Sequence, residues 1–494
     1  MRLKLPGILL ALVLSLNAAA FDVRAVYVDH RTQVQTLPAL EQLAKKAAEG
    51  GMNALVMEWE ATFPFEDNAT LCNRFAFSKS EVRDFINFCQ RLGVDVIPLQ
   101  NCFGHAEYIL RHERYAGLRE DAKDLSQVCP LRKEAAEKVF RSIFSEIAAA
   151  HPSRYMHIGC DETFLLGHCK KCAEYVERHG KSRLFVEYVS LMCDIVRDLG
   201  KTPVIWADIL LRYPEAAGLL PSDLVVVDWN YGWRPDRFGS IDPLLEKGIT
   251  MWGASALRSS PDNIYLTQWD KHFRNLREYI PFCREKGFSG IIQTSWSTSG
   301  TYGYVWDYKS VTDIVPVREV YPSQAFDILW QAFFEAVERT EPLRDDFITD
   351  YLAAHFGLAP RDAASLAGYF MQPQRSVSGK DFSRQAIDAE LAGALSLREL
   401  VRSVSPRKNK SDYAHLCLMA DIRIHYLRFK EVERAWETGE IGREELPVKL
   451  KPLIRESDRL RRRFVRLNKK ALKDPSLPLG DNSYMGKMRK MAHY

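Results

Sequence analysis

The chain of 494 residues is longer than one hydrophobic core normally supports, so two domains are expected. A hydrophobic share of 46% beside 27% charged residues is that of a soluble globular protein, and a net charge of +4 marks neither a nucleic-acid binder nor a membrane-surface protein. Ten cysteines spread over this length do not make a disulfide scaffold.

Residues Met1 to Ala20 have the layout of a secretory signal. Arg2 and Lys4 supply the positive start, Ile8 to Leu16 the apolar stretch, and Ala18-Ala19-Ala20 a small-residue cleavage site. The apolar run is too short to span a bilayer, no cysteine follows the cleavage site, and no later segment approaches a transmembrane length, so no membrane anchor is expected. With Arg2 and Lys4 removed the charge of +4 becomes +2, and a periplasmic or secreted protein starting at Phe21 or Asp22 is expected.

Strands and helices then alternate. Val23 to Asp29 is a strand, Leu37 to Gly50 an amphipathic helix, Asn53 to Trp59 a second strand, and Ser80 to Leu92 a helix closed by Gly93. Val94 to Leu99 is the third strand, residues 133–150 are helical, and Met156 to Glu162 is the fourth, ending in two adjacent acids. Lys181 to Leu199 is a long helix. Strands follow at Pro203 to Asp208, Leu224 to Trp229, Ile249 to Gly253 and Gly290 to Trp296, the last preceded by a helix over Asn275 to Lys286. Eight apolar strands separated by helices predict an α/β fold, a (β/α)8 TIM barrel over residues 21–315. A doubly wound open sheet would want a glycine-rich phosphate turn after an early strand, and none is present.

Beyond residue 315 strand signals stop. Helical spacing over Ser323 to Glu341, Pro342 to His355, Asp381 to Val404 and Ser411 to Thr438 predicts an all-α C-terminal domain over 316–494, with Pro360 to Ser378 and Ser403 to Lys410 as connections. The basic run from Leu460 to Lys470 reads as a solvated helix face packed through Leu460, Phe464 and Leu467 rather than as a nucleic-acid patch.

In such a barrel, chemistry gathers at the carboxyl ends of the strands. Those ends carry Arg24 and Asp29, Glu58 and Trp59, Asn101 and His105, Asp161 and Glu162, Trp206 and Asp208, Trp229 and Tyr231, Trp252 and Trp296. Asp161-Glu162 suits a helix N-cap, but adjacent carboxylates at a strand end are costly unless used. Tryptophans on four successive strands beside acids predict an aromatic-walled pocket whose flat faces stack on sugar rings. In His168-Cys169-Lys170-Lys171-Cys172, a local disulfide or free thiols are favoured over a metal, because no second CxxC is visible.

His157-Ile158-Gly159-Cys160-Asp161-Glu162 resembles the His-x-Gly-Gly-Asp-Glu signature of glycoside hydrolase family 20, the β-N-acetylhexosaminidases. Phe103-Gly104-His105, Cys129-Pro130 and the strand-end tryptophans fit the same family, and Gln100 to His105 with Leu166-Gly167 is similar to its hexosaminidase D branch. Three positions depart from the pattern: Cys160 stands for the second glycine, Phe103 for a proline, and Ser297-Thr298 follow Trp296 where many members carry a Glu. The small α/β domain that commonly precedes the barrel is expected to be missing.

The resemblance implies an exo-acting hydrolase of terminal β-linked GlcNAc or GalNAc that retains configuration by substrate assistance, the 2-acetamido oxygen serving as nucleophile. Glu162 would be the acid/base and Asp161 would orient the acetamido group. Arg24 would bind the outer hydroxyls, Tyr231 the acetamido carbonyl, and Trp206, Trp229, Trp252 and Trp296 the sugar. His105 and His157 would orient the acids. Because Asp161 and Glu162 adjoin, the strand must bend or end between them to bring both to one side. No metal or organic cofactor is implied, and the alternative is a non-catalytic binder of N-acetylated sugars on the same barrel.

Overall fold

The eight strands lack the hydrophobic/polar alternation of a half-exposed sheet because both their faces are covered. In the computed structural model, which describes residues 21–259, 262–296, 323–377, 382–481 and 483–493, they run β1 Val23–Asp29, β2 Ala54–Glu58, β3 Asp95–Leu99, β4 Tyr155–His157, β5 Thr202–Trp206, β6 Val225–Trp229, β7 Thr250–Arg258 and β8 Gly290–Ser295. All neighbours pair in parallel, and β8 returns to β1 through Val23 opposite Gly290, so the sheet closes into a barrel. Alternate residues divide two apolar layers. Ala25, Tyr27, Val56, Ile97, Val204 and Val227 fill the bore. Val26, Val28, Leu55, Val96 and Val226 face the helices.

The helices of the barrel are α1 Leu37–Glu49, α2 Lys79–Arg91, α3 Glu107–Leu110, α4 Lys133–Ala150, α5 Lys170–His179, α6 Lys181–Asp198, α7 Asp208–Arg212, α8 Asp242–Glu246 and α9 Trp269–Glu285. Local chemistry sets their starts. Thr36 caps α1 by accepting from the Ala39 N–H, and Ser78 with Glu81 forms a capping box on α2. Strand β4 is shorter than the expected Met156–Glu162: it ends at His157, because Gly159 and Cys160 turn to positive φ.

The described chain continues as α10 Asp327–Glu338, α11 Phe347–Phe356, α12 Pro360–Phe370, α13 Arg384–Ser403, α14 Lys410–Glu437, α15 Glu445–Asn468 and α16 Tyr484–Met491. Residues 360–370, expected to be a connection, are helical: Pro360 occupies the first turn, where its missing N–H costs nothing, and Ala363, Leu366, Ala367 and Phe370 bury one stripe. The basic stretch lies on α15 with Leu460 and Phe464 buried. These helices share one apolar core with the barrel's outer layer. Tyr265 stacks on Tyr426 at 3.6 Å, and Trp269 meets Phe326 and Phe370 at 5.4 and 5.3 Å. Both the proposed boundary near residue 315 and the segment Met1 to Ala20 lie outside the described residues.

Trp252, expected at the mouth, is instead a plug low in the bore. It is the third residue of β7, in register with Gly290 at the very start of β8, and its ring meets Tyr155 at 4.9 Å. Gly290 leaves room for it, since a Cβ there would come within 2.5 Å of the indole. Trp252→Ala is therefore expected to cost about 3–5 kcal/mol of unfolding free energy in urea titrations. A loss under about 1 kcal/mol would contradict this packing.

Candidate active site

The turn after β4 builds the site. Gly159, Cys160 and Glu162 all have positive φ, at 72°, 73° and 46°. This irregular backbone replaces the strand's alternation, so the side chains of Asp161 and Glu162 both reach one cavity. A Cβ on Gly159 would fall 2.1 Å from the Asn101 side chain, and one on Gly104 would fall 2.1 Å from the Asp161 carbonyl oxygen. The loop after β3 thus lies directly against the loop after β4. Cys160, where the resemblance has glycine, fits because its thiol packs 3.7 Å from that of Cys102.

His105 stands between the acids, its Nε2 3.3 Å from Asp161 Oδ2 and 3.2 Å from Glu162 Oε2. Burial opposes charge on the imidazole, but the Asp161 carboxylate and hydrogen bonds to both acids outweigh it and raise its pKa well above the ordinary value. Burial likewise opposes the charge on Asp161, yet His105 holds that carboxyl below its usual range, with Arg31 adding to the effect. Behind them, Asp208 accepts the Glu162 backbone N–H at 3.2 Å. Burial, then the nearby Asp161, pushes Asp208 up to about 7.

The cavity, about 530 Å³, is walled by Trp206, Trp229, Tyr231, Trp233, Phe238 and Trp296. Trp206 and Trp296 lie 5.9 Å apart, Trp229 and Tyr231 5.0 Å, and Trp229 and Phe238 4.5 Å. Burial raises the Tyr231 pKa well above its usual value, so its hydroxyl keeps its proton. The remaining lining is cationic or polar: Arg31, Arg212, Arg237, Lys271 and Ser259, with Phe164 at the rim.

Of the expected site residues, Asp161, Glu162, His105, Trp206, Trp229, Tyr231 and Trp296 meet here; Arg24, His157 and Trp252 do not. Arg24 lies near the amino end of β1 and faces away from the bore, its Nε donating to the Gly51 carbonyl at 2.8 Å and its Nη1 to that of Phe21 at 2.7 Å. Arg31, just past the carboxyl end of the same strand, lines the cavity instead. It is paired with Asp29 at 2.9 Å and Glu58 at 3.2 Å, and sits 5.2 Å from the Trp296 ring centre. His157 is buried beneath the acids, its ring 4.4 Å from that of Trp206 and its Nδ1 accepting the Gly159 N–H at 3.1 Å. Burial lowers its pKa to about 3, so it is a neutral support rather than a sugar contact. Arg31 was discoverable from its place two residues beyond Asp29. The cations Arg212, Arg237 and Lys271 carry no comparable positional mark.

A barrel mouth that joins paired carboxylates to an aromatic-walled cavity is the site of a glycoside hydrolase. Residues 29–285, more than half the chain, match the catalytic domain of glycosyl hydrolase family 20, and the protein belongs to that family. Among relatives, it is 28% identical to hexosaminidase D of Bos taurus over 263 residues, covering 50% of this chain and 76% of that protein. It is 26% identical to hexosaminidase D of Homo sapiens over 359 residues, covering 67% and 73%. Among solved structures, a β-N-acetylhexosaminidase from Bacteroides fragilis NCTC 9343 shares the fold with a TM-score of 0.51 at 16% identity, over 68% of this chain and 70% of that one.

The raised Asp208 pKa has a signed consequence. Unfolded, this carboxyl ionises at about 3.9, so between that pH and about 7 the folded state holds more protons and stability falls as pH rises. Asp208→Asn keeps an acceptor for the Glu162 N–H but removes the titration. In urea unfolding it is expected to gain stability over the wild type at about pH 8 relative to about pH 4. An identical difference at the two pH values would reject this reading.

Proposed function

We propose that the protein is an exo-acting β-N-acetylhexosaminidase that removes terminal β-linked N-acetylhexosamine with retention, using the substrate's own 2-acetamido oxygen as nucleophile. The observation that carries this is the convergence of Asp161 and Glu162 on one aromatic-walled cavity with His105 between them. The names of the two hexosaminidase D relatives agree with it.

In this reading Glu162, the more open of the two acids, donates its proton to the leaving glycosidic oxygen and later takes one from the attacking water. Asp161 stays ionised, accepts the acetamido N–H and stabilises the positive charge that develops on the oxazolinium-like intermediate. Tyr231, held as a proton donor, orients the acetamido carbonyl, while Trp206, Trp229 and Trp296 exclude water from it. Arg31, fixed by Asp29 and Glu58, faces the outer hydroxyls. The segment Met1 to Ala20 supports export. N-terminal sequencing of the protein from a fractionated host is expected to begin at Phe21 or Asp22, and a start at Met1 would argue against export.

The decisive assay is nitrophenol release from the β-GlcNAc and β-GalNAc nitrophenyl glycosides beside the plain β-glucoside and β-galactoside. Cleavage confined to the two acetamido sugars is expected. Equal cleavage of all four would remove substrate assistance, and binding of acetamido sugars without turnover would leave a sugar-binding protein.

Two substitutions separate the roles. Glu162→Gln is expected to lower kcat about 10²–10⁴-fold on substrates with poor leaving groups and less on nitrophenyl glycosides. Asp161→Asn is expected to lose about 10²–10³-fold in kcat and to weaken an oxazoline-mimicking inhibitor in parallel. Unchanged inhibition in the second variant would detach Asp161 from the acetamido group.

A further inference from the structure

Three thiols and a carboxylate converge about one point beside the site, outside the catalytic cavity. Cys129 Sγ lies 3.6 Å from Cys172 Sγ and 3.9 Å from Cys169 Sγ, and Cys172 Sγ lies 3.4 Å from Glu120 Oε2. All four ligand atoms fall within 4.8 Å of one another. Among the described residues no other group of three or more His, Cys, Asp and Glu side chains converges in this way. Cys102 and Cys160 approach each other, but as a pair only.

We propose that Glu120, Cys129, Cys169 and Cys172 bind a structural zinc ion. Bonds of about 2.3 Å to sulfur and about 2.1 Å to oxygen at tetrahedral angles place sulfurs about 3.8 Å apart and sulfur and oxygen about 3.6 Å apart. The three separations given above lie within a few tenths of an ångström of those edges, the others stay under 4.8 Å, and the two sulfur–sulfur distances are far from the about 2.05 Å of a disulfide. Thiolate and carboxylate ligands in a closed tetrahedral set suit zinc over calcium or magnesium, which take six or more oxygens or hold water.

The surrounding chain is arranged to hold such a set. Arg119 and Val128 form an antiparallel bridge that fixes Glu120 and Cys129 on facing limbs of the β3 loop. Glu120 Oε1 accepts the Cys169 backbone N–H at 2.8 Å, which orients the carboxylate and leaves Oε2 turned to the thiols. Cys169 is the N-cap of α5 and Cys172 sits in its first turn, where the helix dipole favours thiolates. Zinc would displace the three thiol protons to solvent and add no open coordination position, so it is a clamp rather than a catalyst. It would tie the loop that carries His105 to the loop that carries Asp161 and Glu162. Those loops already touch there, the Leu165 N–H donating to the Gln127 side chain at 2.8 Å.

The test is metal content of the untagged full-length protein, expressed in zinc-supplemented medium and dialysed without chelator. About one zinc per chain by plasma mass spectrometry is expected. Cys129→Ser and Cys172→Ser should each lose most of it, and Cys417→Ser, altered at a thiol outside the cluster, should keep it. Replacement by cobalt in the wild type should produce thiolate charge-transfer absorption with the visible bands of a tetrahedral ion. Wild-type protein that holds no zinc after incubation with one equivalent, or a Cys129 disulfide to Cys169 or Cys172 in non-reducing peptide maps, overturns the proposal. Both readings come from the wild type, so they stand even if the variants fail to fold, and neither depends on which glycoside is cleaved.

Discussion

The mouth of this barrel depends on the backbone leaving its regular course after His157. A continuing strand would send Asp161 into the bore and Glu162 toward the helices, or the reverse. Positive φ at Gly159, Cys160 and Glu162 prevents this, and only the first of the three is glycine. Left-handed conformations at Cys160 and Glu162 cost about 1–2 kcal/mol each. The neighbours hold them in place: the Trp206 N–H donates to the Gly159 carbonyl, Asp208 accepts from the Glu162 N–H, and the Asp161 carbonyl lies in the space left by Gly104. Strain stored where two acids must face one cavity is the usual place to find it.

Charge is the second constraint. Asp29, Glu58, Asp161 and Asp208 are all buried around the mouth, with Arg31 and Arg258 buried among them and His105 largely covered. Arg31 is divided between Asp29 and Glu58, and His105 between Asp161 and Glu162. Burial also favours protons on the acids that these cations neutralise least: it lifts Glu58 to about 7 despite Arg31, and Asp208 to about 7. One carboxyl held low beside another pushed up is the pattern by which environments divide acid and base duties among like groups. Here burial favours the protonated form of Asp208, while His105 favours the ionised form of Asp161.

Much of this was legible in the sequence. Continuous apolar runs of three to nine residues at helical intervals define the strands because both faces are buried, and the acid pair just after the fourth strand marks the site. What stayed hidden shares a physical cause: one-dimensional position does not say which end or face of a strand a side chain occupies. Arg24 and Arg31 flank the same strand, yet one bonds carbonyls near its amino end and the other faces the cavity. Trp252 and Trp206 look alike as aromatics on neighbouring apolar runs, but β7 extends six residues beyond Trp252 while β5 ends at Trp206. Cys129 lies 40 residues before Cys169, so its approach to the CxxC is a property of two loops folded together.

The C-terminal half of the chain reaches the site through the loop that holds Arg31. That loop leaves β1 at the mouth and is gripped from outside by residues 470–473, at the far end of the chain. The Thr36 hydroxyl donates to the Lys470 carbonyl at 2.6 Å, the Lys473 N–H donates to the Val34 carbonyl at 2.9 Å, and Gln35 bridges to Leu472. Lys473 also lays its ammonium 3.5 Å from the Phe77 ring centre. From the barrel side, Arg258 of β7 donates to Gln33 at 3.2 Å. A guanidinium that must stay aimed at a cavity while shared by two carboxylates needs a rigid backbone, and short strands do not supply one beyond their ends. The chain following α15 does so here, which makes the helical half part of the site's support although none of its described residues lines the cavity.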